Sequence, residues 1–171
     1  ENTSNNTWHL ISLTPLKFSE FTAGFIQVTL DITKQKEEEN KLRLAYTIFN
    51  NLSEGIVVTD ADCNIISVNQ AFTRITGYEE QEALGNKPDI LSSGRHEEEF
   101  FTAMWQQIDN KGYWQGEIWN KKKSGVEYPE LLSINALKTE SGEVSQYIAV
   151  FSDISKLKDV EDKLRHQAMH D

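Results

Sequence analysis

The chain has 171 residues, enough for one domain with a proper hydrophobic core and somewhat more. Its 17 basic and 27 acidic residues leave a net charge of -10, which argues against nucleic acid or an anionic membrane as a direct partner, since both select a basic face. A lone cysteine, Cys63, excludes an internal disulfide framework and any CxxC metal or redox site. The longest apolar runs, such as Tyr147–Phe151, span about five residues, too few to cross a membrane. The opening Glu1–Asn6 is polar and unlike a signal peptide. With 38% hydrophobic and 26% charged residues the composition is that of an ordinary globular protein, for which a cytoplasmic location is the expectation.

The first elements are legible through a repeat. Phe25–Arg43 aligned with Tyr147–Arg165, a shift of 122, is identical at ten of nineteen positions. Leu10–Leu16 aligns with Leu131–Leu137 at a shift of 121, so one residue of slip falls between the two blocks. Residues 1–34 thus read as the last two strands of one unit, truncated at its start. Lacking the rest of their sheet, these strands are expected to pair with each other and, through their sticky edges, with a neighbouring chain. Residues 35–52 form a charged linker helix with Leu42, Ala45, Phe49 and Leu52 at heptad spacing.

A complete unit follows over 53–155. Gly55–Thr59 and Asn64–Val68 are β-branched runs around the turn residues Asp60–Cys63, a hairpin. Asn69 caps a short helix carrying Ala71, Phe72 and Ile75, and Tyr78–Leu84 makes a second that Gly85 stops. Pro88–Gly94 is a loop or a single turn. From His96 to Asn110, Phe100, Phe101, Met104, Trp105 and Ile108 share one helix face, and Gly112 ends that helix. The period then changes to two: a strand over Tyr113–Lys121, a turn at Lys122–Gly125, and a strand with Val126, Tyr128, Leu132, Ile134 and Ala136 on one face. Pro129 points to an edge or a bulge there. Val144–Ser152 is the closing strand. Five antiparallel strands split two and three by a helical insert make an α+β domain, with a binding cavity between sheet and helices. Residues 156–171 form an exit helix with Leu157, Val160, Leu164 and Ala168 on one side. Each flanking helix either packs on its own domain or pairs in a dimeric coiled coil.

Asn51–Asp60, Ile65–Phe72, Ile75–Tyr78, Leu84–Gly85, Trp114–Asn120, Gly125 and Val150–Ser155 together resemble a PAS domain, and residues 7–34 resemble the end of another. The resemblance implies the PAS fold, a five-stranded antiparallel sheet with helices on one face. It places Asp153 and Ser155, and by the repeat Asp31 and Thr33, at strand-to-helix junctions that transmit signal. His166–Asp171 resembles the opening of a GGDEF diguanylate cyclase domain. This implies a bacterial multi-domain sensor controlling cyclic di-GMP, with or without an EAL phosphodiesterase, whose catalytic part is absent from this sequence.

Catalysis by the fragment itself has little support, since His96 is the only histidine of the unit before the exit helix and a nucleophile needs a base. Lys121–Lys123 reads as a solvated turn, with anion binding as the alternative. The stretch from Asp89–Gly94 through Met104 and Trp105 to Trp114–Asn120 resembles FAD-binding redox-sensing members of the family. That resemblance makes Trp105 and Asn120 flavin contacts, with Met104 and Trp114 nearby and Asp89 as the acidic group, shifted by one from Pro88. Two functions are expected: a sensory module that binds a small ligand or cofactor and signals through a homodimeric helical linker, or a ligand-free spacer that only mediates dimerisation.

Overall fold

The computed structural model describes residues 7–18 and 21–169. The sequence expectations for Glu1–Asn6 and for His170 and Asp171 lie outside the described residues. The chain divides into two compact units, Glu1–Ile48 and Phe49–Asp171. In the first, β1 (His9–Phe18) and β2 (Phe21–Asp31) form a two-stranded antiparallel sheet, and α1 (Thr33–Asn51) begins directly after it. Asp31 Oδ1 accepts the Thr33 amide at 2.9 Å, and Thr33 Oγ1 accepts the Trp8 amide at 2.9 Å. Polar side chains thus satisfy backbone donors where the strand becomes a helix.

The second unit contains β3 (Gly55–Asp60), β4 (Ile65–Val68), α2 (Gln70–Thr76), α3 (Glu80–Ala83), a 3₁₀ turn (Pro88–Leu91), α4 (Glu98–Lys111), β5 (Tyr113–Lys121), β6 (Glu127–Lys138), β7 (Val144–Asp153) and α5 (Ser155–Ala168). Its five strands lie in the order β4-β3-β7-β6-β5, all antiparallel. This is the expected α+β architecture. The opening and closing strands meet at the centre, where Ile56 lies opposite Val150.

Local chemistry sets the boundaries. Asp60 Oδ1 accepts the amides of Asp62 and Asn64, closing the first hairpin. Asn69 caps α2 through Phe72 and is wholly buried, its amide also donating to the carbonyls of Phe49 and Glu54. Gly77 and Gly112 end α2 and α4 in left-handed conformations that a side chain would strain.

One face of the sheet packs on the helices through Val57, Phe72, Met104, Ile108, Trp114, Ile118, Leu132, Ile134 and Phe151. Phe151 lies over Gly55, where an added Cβ would meet its ring at 2.3 Å, and Trp114 lies over Gly116, where the approach would be 2.6 Å. Glycine at these two positions gives the rings their room.

Pro129 corrects the edge expectation. It lies in β6, an interior strand paired with both β5 and β7. Its carbonyl accepts the Ile154 amide just past the end of β7 at Asp153, so its nitrogen faces the place where that ladder has ended. Val126 precedes β6 and is exposed, so the inward-facing phase starts at Tyr128.

Candidate functional site

The inward face of the β5–β6 hairpin carries a polar cluster at one end. Asn120 Nδ2 donates to Glu130 Oε1 at 2.8 Å, and both residues are buried. Glu130 is 1% exposed, and neither its second oxygen, Oε2, nor the hydroxyl of Tyr128 two residues before it makes a well-formed hydrogen bond among the described residues, although the Tyr128 hydroxyl lies near enough to act on the carboxyl as a donor. A buried carboxylate with an under-bonded oxygen is costly in an apolar interior. Burial pushes the Glu130 carboxyl up to about 7, with Tyr128 and Asn120 pulling it partly back. Burial likewise raises the Tyr128 phenol far above its ordinary value, so it stays protonated. The cluster therefore holds one neutral donor–acceptor and one carboxyl that changes charge close to neutral pH.

Glu130 was hidden in the sequence by its charge and by the proline before it. The signal lay in the period-two pattern itself, because position 130 falls between Tyr128 and Leu132 on the inward face.

The cluster is continuous with the strand-to-helix junction. Glu130 lies directly opposite Asp153 in the β6–β7 register. Lys122 Nζ pairs with Asp153 Oδ2 at 2.8 Å and sits 4.9 Å from the centroid of the Tyr128 ring. Asp153 Oδ1 accepts the amide of Ser155 at 2.9 Å and its hydroxyl as well. Burial works to raise the Asp153 carboxyl, but the Lys122 ammonium and the Ser155 donors outweigh it and hold it below the ordinary carboxylate value. Asp153, one residue before the capping position Ile154, thus accepts from Ser155 at the first position of α5, as Asp31 accepts from Thr33 at the start of α1.

The other expected flavin contacts stand elsewhere. Trp105 is half-buried on α4 and meets Tyr147 edge-on at 5.4 Å. Tyr147 pairs with Ala136, whereas Asn120 pairs with Tyr128, so the two rows are eight residues apart along β6, roughly 25 Å of strand. The structure does not bring Trp105 and Asn120 together. Met104 is buried in the apolar core. Trp114 is buried over Gly116, 6.0 Å edge-on from Phe100. Asp89 is exposed on the 3₁₀ turn, and the buried residue of that turn is Leu91. His96 Nε2 accepts the Trp119 amide at 2.8 Å while its ring stacks on Phe100 at 4.2 Å, which ties α4 to β5.

A flavin presents alternating donors and acceptors along one ring edge, and the under-bonded Glu130 carboxyl and Tyr128 hydroxyl beside Asn120 offer a matching set of donors and acceptors. Trp105 lies toward the other end of the sheet, beside Tyr147. An open groove of about 410 Å³ lies outside the sheet–helix layer, lined by Arg74, Ile75, Thr76, Gly77, Lys122, Lys123 and Ser124. Its cations are engaged: Arg74 with the Leu52 carbonyl, Lys122 with Asp153, Lys123 with Glu82. It is a solvated turn braced against α2 by the Lys123 amide on the Thr76 carbonyl.

Comparison with known proteins agrees with this architecture. The chain is 33% identical over 123 residues to a nitrogen fixation regulatory protein of Klebsiella oxytoca, an alignment covering 72% of this chain and 25% of that protein. The chain spans about a quarter of the length of the curated Klebsiella relatives it matches. Among solved structures, a PAS domain from Colwellia psychrerythraea superposes with a TM-score of 0.64 at 24% identity, covering 68% of this chain and 98% of that one. An RNA-binding light-oxygen-voltage receptor superposes with a TM-score of 0.66 at 20% identity, covering 96% of this chain and 43% of that one. The PAS domain family model matches residues 53–156. With that match over most of the chain, and the sheet order and helical insert in place, the chain belongs to the PAS family of sensory and regulatory domains.

Proposed function

We propose that the unit from Phe49 onward senses a small molecule bound between sheet and helices, gripped at Asn120, Glu130 and Tyr128, and passes its state through Asp153 and Ser155 into α5. The observation that carries this reading is the buried, under-bonded polar cluster in which Glu130 accepts from Asn120, while its second oxygen and the neighbouring Tyr128 hydroxyl make no well-formed hydrogen bond. FAD is the first ligand to test, its ring edge meeting this cluster. The output in this reading is a cyclic di-GMP synthesising domain beyond α5, on the strength of the sequence at His166–Asp171. The module works as a cytoplasmic homodimer joined by its linker helices. The exposed Leu157, Val160 and Leu164 of α5 and Leu42 of α1 support that pairing. A ligand-free spacer is the second reading, favoured by the way Phe151 and Trp114 fill the space over Gly55 and Gly116.

The experiment is an absorption spectrum of the purified protein with mass spectrometry of its denatured extract. Sensing predicts a small molecule in roughly equimolar amount, showing flavin bands if it is FAD, and its loss from the Asn120→Ala and Glu130→Ala proteins. A colourless protein with an empty extract, which also takes up no added FAD, supports the spacer.

A further inference from the structure

The β1–β2 hairpin copies β6–β7 residue for residue. At shifts of 121 for the first strand and 122 for the second, Leu10 opposite Leu30 matches Leu131 opposite Ser152, and Leu13 opposite Gln27 matches Ile134 opposite Ala149. Even the irregularity recurs, between Leu16 and Lys17 in one and between Leu137 and Lys138 in the other. The Ile32 amide bonds to the Trp8 carbonyl as Ile154 bonds to Pro129, and the Asp31 cap matches the Asp153 cap. Two hairpins with one register, one bulge and one cap are the same structural part.

Their surroundings differ. In β6, Leu132 and Ile134 are each 8% exposed, covered by the helices and flanked by β5 and β7. Their counterparts Ile11 and Leu13 are 57% and 63% exposed, and Phe25, the counterpart of Tyr147, is 68% exposed. All described side chains from His9 to Leu16 and from Phe25 to Asp31 are exposed. Among the described residues each strand of this sheet has one partner. A two-stranded ribbon with apolar residues on its faces is marginal in water, and its open edges attract further strands.

We infer that the β1–β2 hairpin is the closing pair of a second PAS sheet, and that its free edges and apolar face receive the opening strands and helical insert of that sheet, carried on the same polypeptide. The occupant's chemistry follows from the copy. The free edge of β2 takes a strand like Gly55–Asp60, with β-branched residues facing Val28 and Ile26, as β3 does against β7. The free edge of β1 takes a strand like Tyr113–Lys121. Helices with the apolar character of α2 and α4 cover Ile11 and Leu13. This surface is independent of the Glu130 cluster, and either conclusion stands if the other fails.

The test is amide hydrogen exchange on the complete natural polypeptide carrying this sequence, compared with the 171-residue chain at two concentrations. The amides of Phe25–Asp31 that do not bond to β1 are expected to exchange roughly tenfold or more slowly in the complete polypeptide, at any concentration. Equal, fast exchange in both overturns the inference. Protection in the 171-residue chain that grows with its concentration also overturns it, because the occupant is then a second copy.

Discussion

At Glu130, burial makes the ionised form costly, while Tyr128 and Asn120 return only part of that cost. Its folded value of about 7 lies above the ordinary 4.5, so between these values the folded chain holds a proton that the unfolded chain has released. Stability contributed by this group is therefore full at acid pH and falls as pH rises through that window, by about 3 kcal/mol in total. Glu130→Gln keeps an acceptor for Asn120 and removes the titration. Urea unfolding from pH 4.5 to 8 should show the Gln protein gaining on the wild type as pH rises, and parallel curves would refute the assignment. The comparison isolates Glu130 from Asp60 and Asp153, which titrate with the opposite sign because their carboxyls are held low.

At the scale of elements, the Asp153 cap joins sheet to helix. Asp153→Ala removes the acceptor of the Ser155 amide and the partner of Lys122, at a cost of about 1 kcal/mol for the hydrogen bond alone. Faster amide exchange over Ser155–Lys158 is the expected sign, with the same substitution at Asp31 giving the same result at the start of α1. An unchanged first turn in both proteins would show that Asp153 and Asp31 do not hold these helices.

The elements were legible where period and punctuation agreed. β-branched runs, Asn69 and Gly112 stand at strand interiors and helix ends because each satisfies a local steric or hydrogen-bonding need. The candidate site was less legible because it depends on neighbours distant in sequence. Nothing near Asp89 marks it as exposed, and nothing near Glu130 marks it as facing Asn120 across a hairpin. Trp105 shares a helix face with Met104, but which end of the sheet that face meets is set by the register of β6 against β7.

At the scale of the whole molecule, the repeat joins two copies of one strand-to-helix device, each feeding a helix whose described side chains are nowhere fully buried. Exposed leucines at near-heptad spacing on α5 are what a parallel helix pair would cover. Sedimentation of the 171-residue chain should show a dimer, and Leu157→Asp combined with Leu164→Asp should weaken it by at least tenfold if α5 forms the seam. A wild-type monomer at every concentration would remove the helical linker from the account. The central claim is that the state of the buried cluster reaches α5, and amide exchange over Ser155–Lys158, in the wild type relative to Glu130→Gln between pH 6 and 8, tests it most directly. The wild-type-to-variant ratio should change as Glu130 ionises opposite Asp153, and a ratio constant across that range would show that the cluster does not reach α5.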